Sequence, residues 1–152
     1  MSDPGVFGER LAALERRLEH HFSDRSLIAR ALTHSSWANE HPPALHNDGL
    51  AFVGDAALGL VVAEHLLALD SEAAVGVLTP RRAEVVSGAN LARWARELEI
   101  GSMLRLGRGE DLTGGRTRES ILATALEAVL GAMYFEGGLA AVRRAVAALA
   151  AW

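Results

Sequence analysis

The chain contains no cysteine and no lysine. Without cysteine there is no disulfide framework and no thiolate metal site, and the absence fits an expected cytoplasmic setting. Without lysine, all 15 basic side chains are arginine, a bias that genome composition explains as readily as function. Aromatic residues make up only 5% of the chain while half of it is hydrophobic, so the core must be aliphatic. Alanine and leucine dominate that half, and both are strong helix formers. A basic excess is missing too: the formal net charge is −4 and the isoelectric point about 5.8. That balance argues against a simple nucleic-acid-binding module. It leaves room for a nucleic-acid enzyme whose acidic site is bridged to phosphate by a metal.

The first ten residues show no basic stretch leading into an apolar one, so no secretory signal is expected. Leu50–Leu69 is the longest largely apolar run, but Asp55, Glu64 and His65 interrupt it. A bilayer span needs about 20 apolar residues, so a buried core helix is expected and no membrane partner. The length of 152 residues suits one domain, 1–152, with a core over about 11–152.

Helical periodicity organises what remains. Phe7, Leu11, Leu14, Leu18 and Phe22 predict an amphipathic helix over 7–22. Ser23 or Asp24 caps a second helix, and Ser36–Pro43 reads as a loop. Asn47 or Asp48 opens a long helix to Leu69 that is apolar nearly all round and so belongs at the centre. Thr79-Pro80 reads as a helix start, with the pattern running to Leu98, a break near Gly88 and a stop at Gly101. The glycines of Leu104–Thr117 predict an irregular loop. A helix over 119–135 ends at Gly137-Gly138, and a last one places Leu139, Val142, Val146 and Leu149 on one face. The expectation is an all-α domain of about seven helices with no strand.

Two carboxylates stand out. Asp48, Ala51 and Asp55 share one helix face, and Asp55 lies within an apolar run. Glu127 is likewise the lone acid of Ile121–Leu130. Isolated carboxylates in such settings are costly unless paired or metal-bound. Facing each other, Asp55 and Glu127 could share one hard cation such as Mg²⁺. The alternative is that each pairs with an arginine or caps a neighbouring helix. Arg105, Arg108, Arg116 and Arg118 form the best basic cluster, suited either to RNA phosphates or to solvating a loop. His20, His21, His41, His46 and His65 show no shared metal spacing and read as surface or capping residues. No G-K-[ST] follows the glycines of 107–115, which excludes a phosphate-binding P-loop.

Several ordered segments resemble the ribonuclease III family. His46–Asp55, reading H-N-D-G-L-A-F-V-G-D, is similar to its signature H-N-E-R-L-E-F-L-G-D. Ala31–Ser36 resembles its A-L-T-H-x-S element, Leu106–Glu110 its L-G-x-G-E, and Gly114–Ala123 its G-G-x-x-R-E-S-I-L-A. Glu127–Ala132 is similar to the helix E-A-x-x-G-A, so the resemblance runs from about Leu11 to Trp152. It implies an all-α, homodimeric, Mg²⁺-dependent endonuclease domain for double-stranded RNA, and the expectation is a short form without a separate RNA-binding domain, the alternative being a shortened piece of a longer member. It also implies that Phe52 plugs into the partner subunit, the alternative being an ordinary core residue. His34, in the T-H-x-S element, is implied to make a helix-packing hydrogen bond.

The departures matter as much. The family's four metal-holding carboxylates fall on Ala51, Asp55, Thr124 and Glu127, so two are missing. The first acid of the signature is shortened to Asp48, the arginine after it is Gly49, and Val75 stands where a further acid usually precedes Gly76. Two Mg²⁺ ions bring four positive charges, and Asp55 and Glu127 supply two negative ones, with Asp48 at best a third. A single, weakly held ion is the most that set allows. Three readings follow: a catalytically degraded domain that binds structured RNA or a ribonucleoprotein, an active endonuclease with an atypical metal site using Asp55, Glu127 and Asp48, or a protein dimerisation module without RNA.

Overall fold

The computed structural model describes residues 3–152. Among the described residues eight α-helices follow one another: α1 (Pro4–Leu18), α2 (Arg25–Ala31), α3 (Ser35–Glu40), α4 (Asp48–Leu69), α5 (Val75–Val85), α6 (Gly88–Glu97), α7 (Arg108–Leu112) and α8 (Glu119–Ala150). Two short 3₁₀ turns, Ile100–Met103 and Gly115–Thr117, lie between them. Among the described residues there is no strand, only an isolated bridge between Thr33 and Arg105. The all-α class is as the composition implied.

α4 and α8 are the axis of the domain. Both are long and apolar enough to cross a bilayer by length and composition. Here they pack on each other, and Leu58, Val62, Leu126, Val129 and Leu130 are buried in one core that also takes in Phe22, Trp94 and Ile100. Glycine sets how closely the two helices approach. A Cβ on Gly54 would stand 1.7 Å from the Glu127 carbonyl oxygen, and one on Gly131 would stand 2.0 Å from the Leu50 carbonyl oxygen. Only hydrogen fits at either position. Glycine inside a helix costs about 1 kcal/mol relative to alanine, and here that cost is offset by backbone-to-backbone packing. The expected central placement of α4 holds for one side only, because Phe52, Leu60, Leu67 and Leu69 point to solvent.

Several boundaries differ from the sequence expectation, each for a local reason. The first helix stops at Leu18, where Glu19 turns left-handed at φ 54°, and Phe22 reaches the core from beyond it. The stretch expected as a loop at Ser36–Pro43 holds α3 instead, because the His34 ring accepts a hydrogen bond from the Ser36 N–H and caps a helix that periodicity is too short to reveal. α5 begins at Val75, not at Thr79, so Pro80 lies inside a helix whose residues are all at least partly exposed. α6 is separate, capped by the Ser87 hydroxyl on Asn90 N–H, and the chain leaves it through Glu99 at φ 57° rather than at Gly101. Within the glycine-rich segment lie α7 and the turn Gly115–Thr117. The break expected at Gly137-Gly138 is real as a kink: Gly138, at φ 65° and ψ −166°, leaves helical geometry within α8. Val142 and Val146 are buried beyond it and Leu139 and Leu149 pack against the core, as the spacing predicted.

Candidate functional site

The α4–α8 crossing decides where the unusual acids meet. Asp55 follows Gly54 directly, and Glu127 supplies the carbonyl that Gly54 accommodates. The Asp55 carboxyl lies near enough to act on Glu127 across the crossing. Asp55 is exposed, whereas Glu127 is half-buried on the inner helix. Burial, then the hydrogen bond with Asp55 and then its negative charge push the Glu127 carboxyl from 4.5 up to about 8. Burial and the adjacent carboxylate thus disfavour the ionised form of Glu127. Neither acid is in an ion pair with an arginine among the described residues. The alternative of a buried arginine partner thus has no support here.

The neighbouring positions add no carboxylate, and Thr124 offers only a neutral hydroxyl. Ala51 is buried and Thr124 half-buried, each one turn before the acid on its helix. Asp48 is drawn elsewhere: its carboxylate is 3.6 Å from the His46 Nδ1, and its own N–H donates to that nitrogen at 3.3 Å. Among the described residues no group of three or more histidine, aspartate or glutamate side chains is arranged to hold one ion. The donor set therefore does not fit a two-ion centre.

A polar shelf borders this crossing. His34 bonds the Ser36 hydroxyl at 2.7 Å and caps α3, the packing role expected of it. Its pKa is lowered, first by burial, with Asp48 opposing and His46 and Arg118 adding to the effect. The Asn47 amide donates to the Ala31 carbonyl at 3.1 Å, and its N–H donates to the Thr33 carbonyl at 2.9 Å, fixing the start of α4. Arg30 was not foreseen here. Its Nε donates to the His46 carbonyl at 3.0 Å, and its guanidinium is 3.3 Å from where a Gly49 Cβ would stand. An arginine thus occupies the space beside Gly49, but from α2 rather than from the signature itself. No local spacing announces a contact of that kind.

The four arginines expected as one cluster do different things. Arg116 is a brace: it pairs with Asp111 at 2.8 Å and donates to the Gly101 and Leu104 carbonyls at 3.1 and 2.6 Å. Arg118 pairs with Glu110 and donates to the Thr113 carbonyl. Arg108 is exposed, and its backbone N–H donates to Glu40. Arg105 is exposed, with its guanidinium 5.1 Å from the centre of the Trp37 ring. The other histidines are surface or packing residues: His20 bonds Glu136, His21 lies by Glu15, His41 stacks on Trp37 and His65 on Trp152. Phe52 is 81% exposed, which removes the ordinary core reading for it.

A family model described as ribonuclease-III-like matches residues 24–150. A protein named Ribonuclease 3 from Caldanaerobacter subterraneus subsp. tengcongensis is 47% identical over 137 residues, covering 90% of this chain and 60% of that protein. Another, from Symbiobacterium thermophilum, is 47% identical over 144 residues, covering 95% of this chain and 59% of that protein. The chain thus spans about 60% of the length of these relatives. Among solved structures, the nuclease domain of ribonuclease III from Campylobacter jejuni superposes with a TM-score of 0.84 at 35% identity, covering 91% of this chain and 95% of that one. That structure is described for flexibility in a region involved in dimer formation.

Proposed function

The chain belongs to the ribonuclease-III-like family, and we propose that within it this domain is a homodimeric, cleavage-deficient member that binds structured or double-stranded RNA. The observation that carries the reading is the acid pair itself. Asp55 and Glu127 meet, but with alanine and threonine, not carboxylates, one turn before them. Hydrolysis of a phosphodiester through metal ions needs negative ligands to keep those ions in place. Two carboxylates supply at most two negative charges against the four positive charges of two divalent cations, too little to hold the pair.

Homodimer formation is supported by the outward side of the α4–α8 axis. Phe52, Leu60 and Leu67 on α4 are exposed, as are Tyr134 and Phe135 on α8. Large exposed apolar side chains on the two longest helices support association there. RNA as the ligand is supported by family membership and by Arg105 and Arg108, neither of which is spent on an ion pair among the described residues.

One observation favours a second reading. The Asp55 and Glu127 carboxyls are adjacent, so together they could hold a single Mg²⁺. The test covers both. Long duplex RNA is incubated with the native chain and with an Asp55→Ala, Glu127→Ala double variant, in Mg²⁺ and in Mn²⁺. Intact RNA with native protein at high concentration, together with salt-dependent binding of the duplex, is the expected result. Cleavage lost in the double variant would replace it with the single-ion enzyme. No binding of the duplex would leave only a protein dimerisation module.

A further inference from the structure

A cavity of about 980 Å³ opens where α1, α3 and the segment 102–106 come together, and neither Asp55 nor Glu127 lines it. Phe7, Met103 and Leu106 give it an apolar wall. Trp37 and His41 line it as a stacked pair, with ring centres 3.9 Å apart and planes 11° apart. Two arginines give it its charge. Arg105 is held against Trp37, and Arg10 donates to the Ser102 carbonyl at 3.3 Å. Neither is in an ion pair among the described residues, whereas the other two charged residues of the lining, Arg116 and Asp111, cancel each other. The cavity is therefore net positive in a chain whose net charge is −4.

That combination selects a ligand class. A guanidinium resting on an aromatic ring keeps its N–H donors available for an anion, and arginine matches phosphate geometry. Aromatic and apolar walls beside it suit the face of a base, whatever its identity. The volume is that of a small-molecule site. We propose that this cavity binds a nucleoside phosphate, with the phosphate on Arg105 and Arg10 and the base against the Trp37–His41 stack and its apolar neighbours. Two sources share this chemistry: a free nucleotide, or a single-stranded RNA end leaving a duplex. Only the second rests on the RNA reading above.

The experiment measures fluorescence anisotropy of a labelled single-stranded pentanucleotide with the whole chain, with adenosine 5′-monophosphate as competitor and a blunt duplex measured separately. Arg105→Ala is expected to weaken pentanucleotide binding about tenfold, and Arg10→Ala in the same chain to weaken it further. Arg105→Lys recovers part of the loss, because it restores charge but not the fork of donors. Arg10→Ala alone, at a residue outside the arginines assigned to duplex RNA, leaves duplex binding within about twofold, whereas Arg105→Ala weakens duplex binding too, because Arg105 serves both. Competition by the mononucleotide makes free nucleotides ligands, while pentanucleotide binding without competition makes the strand end the source. Both outcomes support the site. The proposal is overturned if neither probe binds, or if binding is unchanged in correctly folded Arg105→Ala protein. Loss of duplex binding by the native chain would sink the RNA reading but not a nucleotide site.

Discussion

Glu127 lies against Asp55 on the half-buried side of the α4–α8 crossing, where burial first and the neighbouring carboxylate second raise its pKa to about 8. The unfolded chain would ionise Glu127 near 4.5. Between those two values the folded state holds a proton that the unfolded state releases, so stability falls as pH rises. The contribution is complete below pH 4.5 and is lost as pH passes about 8. Water reaches part of the group, and that screening limits the change to about 1–2 kcal/mol. Thermal melts across this range should show the decline in native protein and a flatter profile in Glu127→Gln. A native profile as flat as that of the variant would mean that Glu127 is ionised throughout.

Gly54→Ala tests the packing that brings the two acids together. Its new methyl would stand 1.7 Å from the Glu127 carbonyl oxygen, a contact that only helix separation relieves. The expected loss is about 3 kcal/mol or more, at the upper end of the cost of overpacking a core. Gly59→Ala, on the same helix with open space at its Cβ, should be neutral or slightly stabilising. Equal unfolding midpoints for the two variants in urea would contradict a glycine-set crossing.

How much of this was legible in the sequence differs by scale. Long elements with sustained periodicity, α4 and the two halves of α8, could be read from their apolar spacing, and so could Asp55 and Glu127 as acids out of place. Short elements could not be read. α3 depends on a cap from His34 and α7 sits among glycines, and neither is long enough to show a period. Partners distant in sequence were equally hidden. Arg30 beside Gly49 and Arg105 on Trp37 are products of tertiary packing, and no residue spacing encodes them. Of the four arginines expected together, Arg116 and Arg118 are engaged by carboxylates and carbonyls of the 101–113 segment, which residue type alone did not show.

Phe52 is the test of dimerisation. At 81% exposure its ring adds little to the stability of one subunit, so Phe52→Ala should leave the melting temperature of the monomer almost unchanged. If the exposed α4 face is the interface, losing one large aromatic anchor should weaken self-association by at least about tenfold. Light scattering over a concentration series reads this directly. A native chain that stays monomeric at high concentration would remove the dimer, and an unchanged dimer in Phe52→Ala would move the interface elsewhere.

The strongest test of lost cleavage is to put the missing acids back. Ala51→Glu and Thr124→Asp together would add two carboxylates, one turn before Asp55 and Glu127 on the helices that already bring those two together. Four acids at one crossing repel one another, so the doubly substituted chain should be less stable without metal, and more strongly so at high pH. Divalent cations should restore that stability, because a ligand bound only by the folded state raises the melting temperature with its concentration. Mg²⁺ should barely shift the melting of the native chain. Duplex RNA cleavage should appear in the substituted protein and disappear again on adding Asp55→Ala. If metal stabilises the four-acid protein and no cleavage follows, the deficit lies outside the acid set, with Gly49 and Asp48 next in line. If metal stabilises native and substituted protein alike, the native pair already holds an ion and the cleavage-deficient reading falls.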